Sequence, residues 1–178
     1  MSTTPIDAEL DLMLKRELAV PVNLVWRGLT EPELLKKWFV PKPWSISDCR
    51  VDLRPGGEFY TVMQDPEGNK FPNSGCFLEV TDEKRLIWTS ALVKNYRPAV
   101  PATTSDKECA HIVMTAVIEL QPTSSGTRYT ACAMHNTPGQ RKLHEEMGFH
   151  EGWGTTITQL EELLKQEKAY LEHHHHHH

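Results

Sequence analysis

No stretch of this 178-residue chain approaches eighteen consecutive apolar residues, so a membrane-spanning helix is not expected. The first ten residues, MSTTPIDAEL, lack a basic stretch followed by an apolar run. No secretory signal is therefore expected, and the cytoplasm is the expected compartment. Positive charge is also in short supply: 19 Lys and Arg against 24 Asp and Glu leave a formal charge of −5, spread evenly along the chain. Such a balance gives no electrostatic footprint for a phosphate backbone, and no nucleic-acid partner is expected. Cysteine is sparse as well. Cys49, Cys76, Cys109 and Cys132 lie far apart without a C-x-x-C pair, which argues against a zinc ribbon or a redox motif. Without an export signal they read as free, buried thiols. Neither a Gly-rich dinucleotide loop nor a nucleophile elbow is present, so no cofactor is expected.

Metal ligands are equally few. Residues 171–178 read as a cloning scar followed by six histidines and are set apart from the fold. That leaves His111, His135, His144 and His150. The string His144-Glu145-Glu146-Met147-Gly148 begins like a zinc-protease helix, but glycine stands where the second histidine is required. His150 falls six residues after His144, off the same helical face. No metal site is expected.

What is present is a succession of strand-like runs. Residues 11–20 place Leu12, Leu14, Leu18 and Val20 on one parity and read as a first strand. Between Pro21 and Phe39 the period becomes helical, with a restart at Thr30-Glu31-Pro32-Glu33, which predicts two short helices. Strands follow at 46–54, 57–64, 73–81, 85–92, 108–121 and 127–136, separated by turn formers such as Pro55-Gly56-Gly57 and Asp65-Pro66-Glu67-Gly68-Asn69. Short separators imply hairpins and hence an antiparallel meander. Residues 93–107 hold two prolines and form one long connection, either a lid over a site or a disordered loop. The helical period returns after Pro138-Gly139. From Phe149 onward Trp153, Ile157, Leu160 and Leu164 make an apolar stripe on a helix of about five turns, which must lie against the sheet. The expected organisation is a flexible N-terminus over 1–6, a single domain over 7–170 and the tag.

Four stretches carry a resemblance to a known family: Leu35-Lys36-Lys37-Trp38-Phe39-Val40-Pro41, Asp52-Leu53-Arg54-Pro55-Gly56-Gly57-Glu58-Phe59, the run GCFLEVTDEKRL from Gly75 to Leu86, and Met147-Gly148-Phe149-His150-Glu151-Gly152-Trp153-Gly154. In this order they resemble the START-like superfamily, in its branch related to the C-terminal domain of the Hsp90 ATPase activator. The resemblance implies an α+β helix-grip fold, a curved antiparallel sheet of about six or seven strands wrapped around a long C-terminal helix. It also implies a cavity between sheet and helix suited to small apolar or amphipathic molecules. Members of the superfamily bind lipids, cyclise polyketides or contact a chaperone, and fold alone does not choose among these.

Aromatic and apolar side chains distributed over every element of such a grip are the candidate cavity residues: Trp38, Trp44, Phe59, Phe77, Trp88, Met114, Tyr129, Trp153 and Ile157. Each of them can equally serve as core filler, because tryptophan and tyrosine bury large areas while keeping one polar atom. Ala116, Ala131 and Ala133 would leave room above the sheet, for a ligand or for the helix. In 127–136 the parity Tyr129, Ala131, Ala133, His135 competes with Thr130, Cys132, Met134, and both alternatives stay open. For acid/base chemistry the candidates are Asp52, Glu58, His135 and His150, of which only a partly buried member near the cavity would be useful. The leading expectation is a binding module for a small apolar ligand. The alternatives are a protein-contacting domain and a cofactor-free cyclase or hydrolase working in the cavity.

Overall fold

The computed structural model describes residues 7–99 and 113–175, with side chains through Ala169. In chain order the elements are β1 (Asp11–Leu18), α1 (Val22–Thr30), α2 (Pro32–Trp38), β2 (Ser45–Val51), β3 (Glu58–Gln64), β4 (Lys70–Thr81), β5 (Arg85–Thr89), β6 (Leu92–Val93), β7 (Arg97–Pro98), β8 (Met114–Thr123), β9 (Gly126–His135), α3 (Pro138–Glu146) and α4 (Phe149–His175). Seven strands form one antiparallel sheet in the order β1-β9-β8-β5-β4-β3-β2. The meander places sequence neighbours side by side, and the return of β9 to β1 completes the order, as the hairpin spacing predicts. This is the α+β helix-grip architecture, a large antiparallel sheet with a long C-terminal helix and short helices after the first strand.

The turns follow from local chemistry. Gly56, in Pro55-Gly56-Gly57, has φ +82°, which glycine adopts without steric cost, and a Cβ there would stand 2.8 Å from the ring of Tyr96. Gly126 opens β9 where a side chain would collide with the Leu18 carbonyl, so the β8–β9 hairpin can tuck against the end of β1. Pro32 begins α2 and has no N–H, which leaves the Gly28 carbonyl, four residues earlier, without a helical donor. The indole Nε1–H of Trp38 donates to that carbonyl at 2.8 Å and ties α1 to α2.

The helical stretch after Thr137 is divided. Thr137 accepts from the Gln140 N–H at 3.1 Å and caps α3. Gly148, at φ +93°, then redirects the chain into α4. Ile157, Leu160 and Leu164 of the predicted stripe are all but fully buried in the core, as is Phe149 at the start of α4, while Trp153 is half-buried on the cavity wall. The helix has 27 residues, longer than five turns, because the residues read as tag continue its backbone to His175. On β9 the set Thr127, Tyr129, Ala131, Ala133 and His135 is buried and faces inward, which resolves the choice the sequence left open. Ala133 packs with Leu12 and Phe149, so part of the room above the small residues admits the helix.

Residues 93–99 differ from the expected long loop. Leu92–Val93 and Arg97–Pro98 pair as a small second sheet around a single 3-10 turn, with Asn95 and Tyr96 in the left-handed region at φ 64° and 61°. The Asn95 N–H donates to the Gly56 carbonyl at 2.7 Å, a long-range contact that holds this turn where local sequence disfavours it. The remainder of the expected lid, 100–107, the start of the expected strand, 108–112, and the expected flexible residues 1–6 lie outside the described residues.

Candidate functional site

Between the inner face of the sheet and α4 lies a cavity of about 490 Å³. Its sheet wall is Phe59, Met63, Leu86, Trp88, Met114, Ile118 and Tyr129. The opposite wall is Phe149, Gly152, Trp153 and Thr156 of α4, and the segment from Leu35 to Trp44 closes one side. Of the nine residues read from sequence, Trp38, Trp44, Phe59, Trp88, Met114, Tyr129 and Trp153 come together on this wall. Phe77 and Ile157 do not reach it. Phe77 stacks behind Phe59 with ring centroids 5.2 Å apart, and Ile157 is buried along α4.

The aromatic wall is itself a packed object. Trp88 meets Phe59 edge to face at 5.1 Å, and Phe39 meets Phe59 at 5.5 Å. Offset and edge-to-face contacts of this kind fix the rings in place. Gln159 of α4 fastens the segment after α2: its Nε2 donates to the Trp38 and Val40 carbonyls at 3.0 and 2.8 Å, and its Oε1 accepts from the Lys42 N–H at 3.0 Å. Beside the cavity runs a more polar groove of about 780 Å³ lined by Lys36, Lys37, Lys42, Trp44 and Glu162, and the two share Val40, Lys42 and Trp44. Apolar interior and cationic margin together suit an amphipathic shape.

Four polar side chains line the cavity, Lys42, Thr156, Tyr129 and His144, of which the Thr156 hydroxyl is spent on the Trp153 carbonyl at 2.8 Å. Tyr129 is buried, and burial raises its hydroxyl above the usual phenol range, so it remains a neutral donor. His144, from α3, lines the cavity and is only 9% exposed. Its ring stands edge-on to Phe149 at 5.2 Å and to Trp153 at 6.1 Å. Its Nδ1 lies 2.9 Å from Nε2 of His135, whose own Nδ1 lies 2.7 Å from the Leu10 carbonyl. Burial first, and the neighbouring His135 second, push His144 down to about 4.

The other acid/base candidates are placed elsewhere. His150 is exposed and packs on Phe149 at 5.0 Å, outside the cavity wall. Asp52 pairs with Arg54 at 2.8 Å and Glu58 approaches Arg50 at 3.9 Å, neither of them on the wall. Sequence reasoning missed His144 because it read that residue only as a failed zinc ligand. The available signal was the Thr137-Pro138 helix start between two histidines nine residues apart, which turns α3 back over the end of β9.

Among the described residues no group of three or more His, Cys, Asp or Glu is placed to hold a metal. Cys49, Cys76 and Cys132 are free and buried, as read, while Cys109 lies outside the described residues. Burial pushes the Cys49 and Cys132 thiols up to about 11, so neither is a ready nucleophile. Among the described residues no helix is long and apolar enough to cross a membrane.

The family model described as activator of Hsp90 ATPase homolog 1-like protein matches residues 19–165, which run from the start of α1 well into α4. The chain belongs to this family. Among solved structures, a crystal structure of a protein from Nitrosomonas europaea is 93% identical, covers 93% of this chain and 100% of its own, and superposes with a TM-score of 0.85. A solution structure of a protein from Arthrobacter aurescens is 26% identical over 99% of this chain and 98% of its own, with a TM-score of 0.74. A Rhodobacter sphaeroides protein at 21% identity, covering 89% and 94% with a TM-score of 0.74, shares the fold. No curated protein matches the chain. Membership of the Hsp90-activator-like family supports a ligand-binding or co-chaperone-like domain and names no specific ligand or partner.

Proposed function

We propose that this protein is a cytoplasmic binding module that holds a small hydrophobic or amphipathic molecule between its sheet and α4. The observation that carries this reading is the cavity of about 490 Å³ walled by Trp38, Phe59, Trp88, Met114 and Trp153. Its size falls in the range of about 300 to 1,000 Å³ usual for small-molecule sites, and an apolar wall with few polar groups is the usual chemistry of such sites. Burying the apolar surface of a ligand there is favourable at about 25 cal/mol per Å². A protein-docking role is less well supported. Of the large exposed apolar side chains among the described residues, Trp44, Leu53, Tyr96, Val113 and Met147, two, Trp44 and Met147, belong to the cavity lining itself, and Trp44 is covered on one side by Phe71 at 5.6 Å.

Native mass spectrometry of tag-free protein from its own host, followed by denaturing extraction, tests this reading. We expect a one-to-one adduct that extracts as an apolar small molecule. Recovery of a chaperone that remains bound when cavity residues are changed would instead favour a protein-contacting role.

A further inference from the structure

Two of the polar groups on the cavity wall, Tyr129 and His144, bear on what kind of head the ligand carries. They stand far apart: on β9, Tyr129 and His135, the support of His144, are six residues from each other, roughly 20 Å at about 3.3 Å per residue. Aromatic and apolar side chains line the wall between them.

The protons of the histidine pair can be assigned from their partners. The Leu10 carbonyl only accepts, so Nδ1 of His135 carries a proton. His144 is held neutral by burial first and by the neighbouring His135 second. In the tautomer that puts the proton of His144 on Nδ1, that atom donates to the Nε2 lone pair of His135. That leaves Nε2 of His144 as a hydrogen-bond acceptor. It has no hydrogen-bond partner among the described residues. It is also not sealed, because the only fully occluded side-chain polar atoms without partners there are Thr123 Oγ1 and Gln140 Oε1. The ring lines the cavity beside Phe149 and Trp153, and Nε2 is the nitrogen that the bond to His135 leaves free. The Tyr129 hydroxyl, at the other end, is likewise buried without a partner among the described residues and unsealed.

We propose that the cavity takes an elongated, electrically neutral amphiphile whose O–H head donates to Nε2 of His144. Long-chain alcohols, alkylphenols and protonated long-chain acids share this chemistry. The inference rests on the cavity reading above and adds the head group. An apolar ligand without a donor leaves Nε2 unsatisfied, and an anionic head placed at Nε2 meets a lone pair instead of a proton, so both are disfavoured at this position.

The test compares 1-decanol with its methyl ether, 1-methoxydecane, as ligands of tag-free protein, followed by tryptophan fluorescence. The alcohol is expected to bind roughly three- to tenfold tighter, the share of one net hydrogen bond. His144→Phe, which keeps a ring against Phe149 and Trp153, is expected to bring the ratio to about one. Should that variant fail to fold, the 15N shift of His144 Nε2 in the unmodified protein decides: decanol is expected to move it in the direction of an accepted hydrogen bond, and an unmoved resonance overturns the proposal. Decanoate at pH 8 distinguishes the acid from the alcohol as the source of the head, since it has lost its proton and is expected to bind no better than the ether. Equal binding of alcohol and ether, or tighter binding of decanoate than decanol, overturns the proposal and leaves the cavity reading standing. Binding of none of the three overturns the cavity reading itself.

Discussion

Phe149→Ala is expected to lower the unfolding free energy by about 3 to 5 kcal/mol, the usual cost of removing a buried phenylalanine ring. Phe149 is 1% exposed and is the first residue of α4 after the left-handed Gly148. Its ring packs on Leu12 and Ala133 of the sheet and stands 4.7 Å from Trp153 and 5.2 Å from His144. Removing it therefore leaves a void at the point where the helix docks, and His144 of α3 loses its ring contact with α4 there. The surroundings cannot collapse cheaply, because Ala133 and Leu12 are fixed in paired strands. Urea unfolding of the variant measures the loss. A change below about 1 kcal/mol would mean that the end of α4 does not sit on the sheet in this way.

Acid should destabilise the protein through His144, by about 3 kcal/mol once the pH has fallen from 7 to 4. In the folded chain burial and His135 hold this imidazole down to about 4, below its ordinary 6.5. The unfolded chain therefore takes up the proton first as the pH drops. Stability from this group is complete above about pH 6.5, declines between 6.5 and 4, and is fully lost below about 4. Its hydrogen-bonding neighbour is His135 of β9, and the rings that close around it, Phe149 and Trp153, offer no charge to compensate a cation. An NMR titration of the His144 ring protons should give a midpoint near 4, and His144→Phe should show a shallower loss of stability over the same interval. A midpoint near 6.5 would show that the ring is solvated and that the wall around it is open.

The readability of this chain follows the range of the interactions involved. The hairpins from β2 to β5 and from β8 to β9 are marked by local turn formers, so their order was legible. The stripe Trp153, Ile157, Leu160, Leu164 is a periodic signal within one element, and the burial of its last three members was legible for the same reason. The facing of β9 was not, because both parities mix small, polar and aromatic residues, and only pairing with β1 and packing of Phe149 decide it. The β6–β7 hairpin escaped notice because strands of two residues carry no period and the turn is held by Gly56, far away in sequence. The cavity wall was read in large part from aromatic residues, yet nothing local separates Phe59, which lines it, from Phe77, which stacks one layer behind. The pair His135–His144 arises from the fold-back of α3 and has no motif of its own.

The most direct measurement is the set of tryptophan indole 15N–1H resonances during titration with 1-decanol. The chain has five tryptophans. Trp38, Trp44, Trp88 and Trp153 line the cavity, while Trp26 is buried in the core away from it. The account predicts saturable shifts at Trp44, Trp88 and Trp153, a smaller one at Trp38, whose N–H is held by the Gly28 carbonyl, and none at Trp26. Shifts confined to exposed positions, or equal at all five indoles, would contradict binding between the sheet and α4.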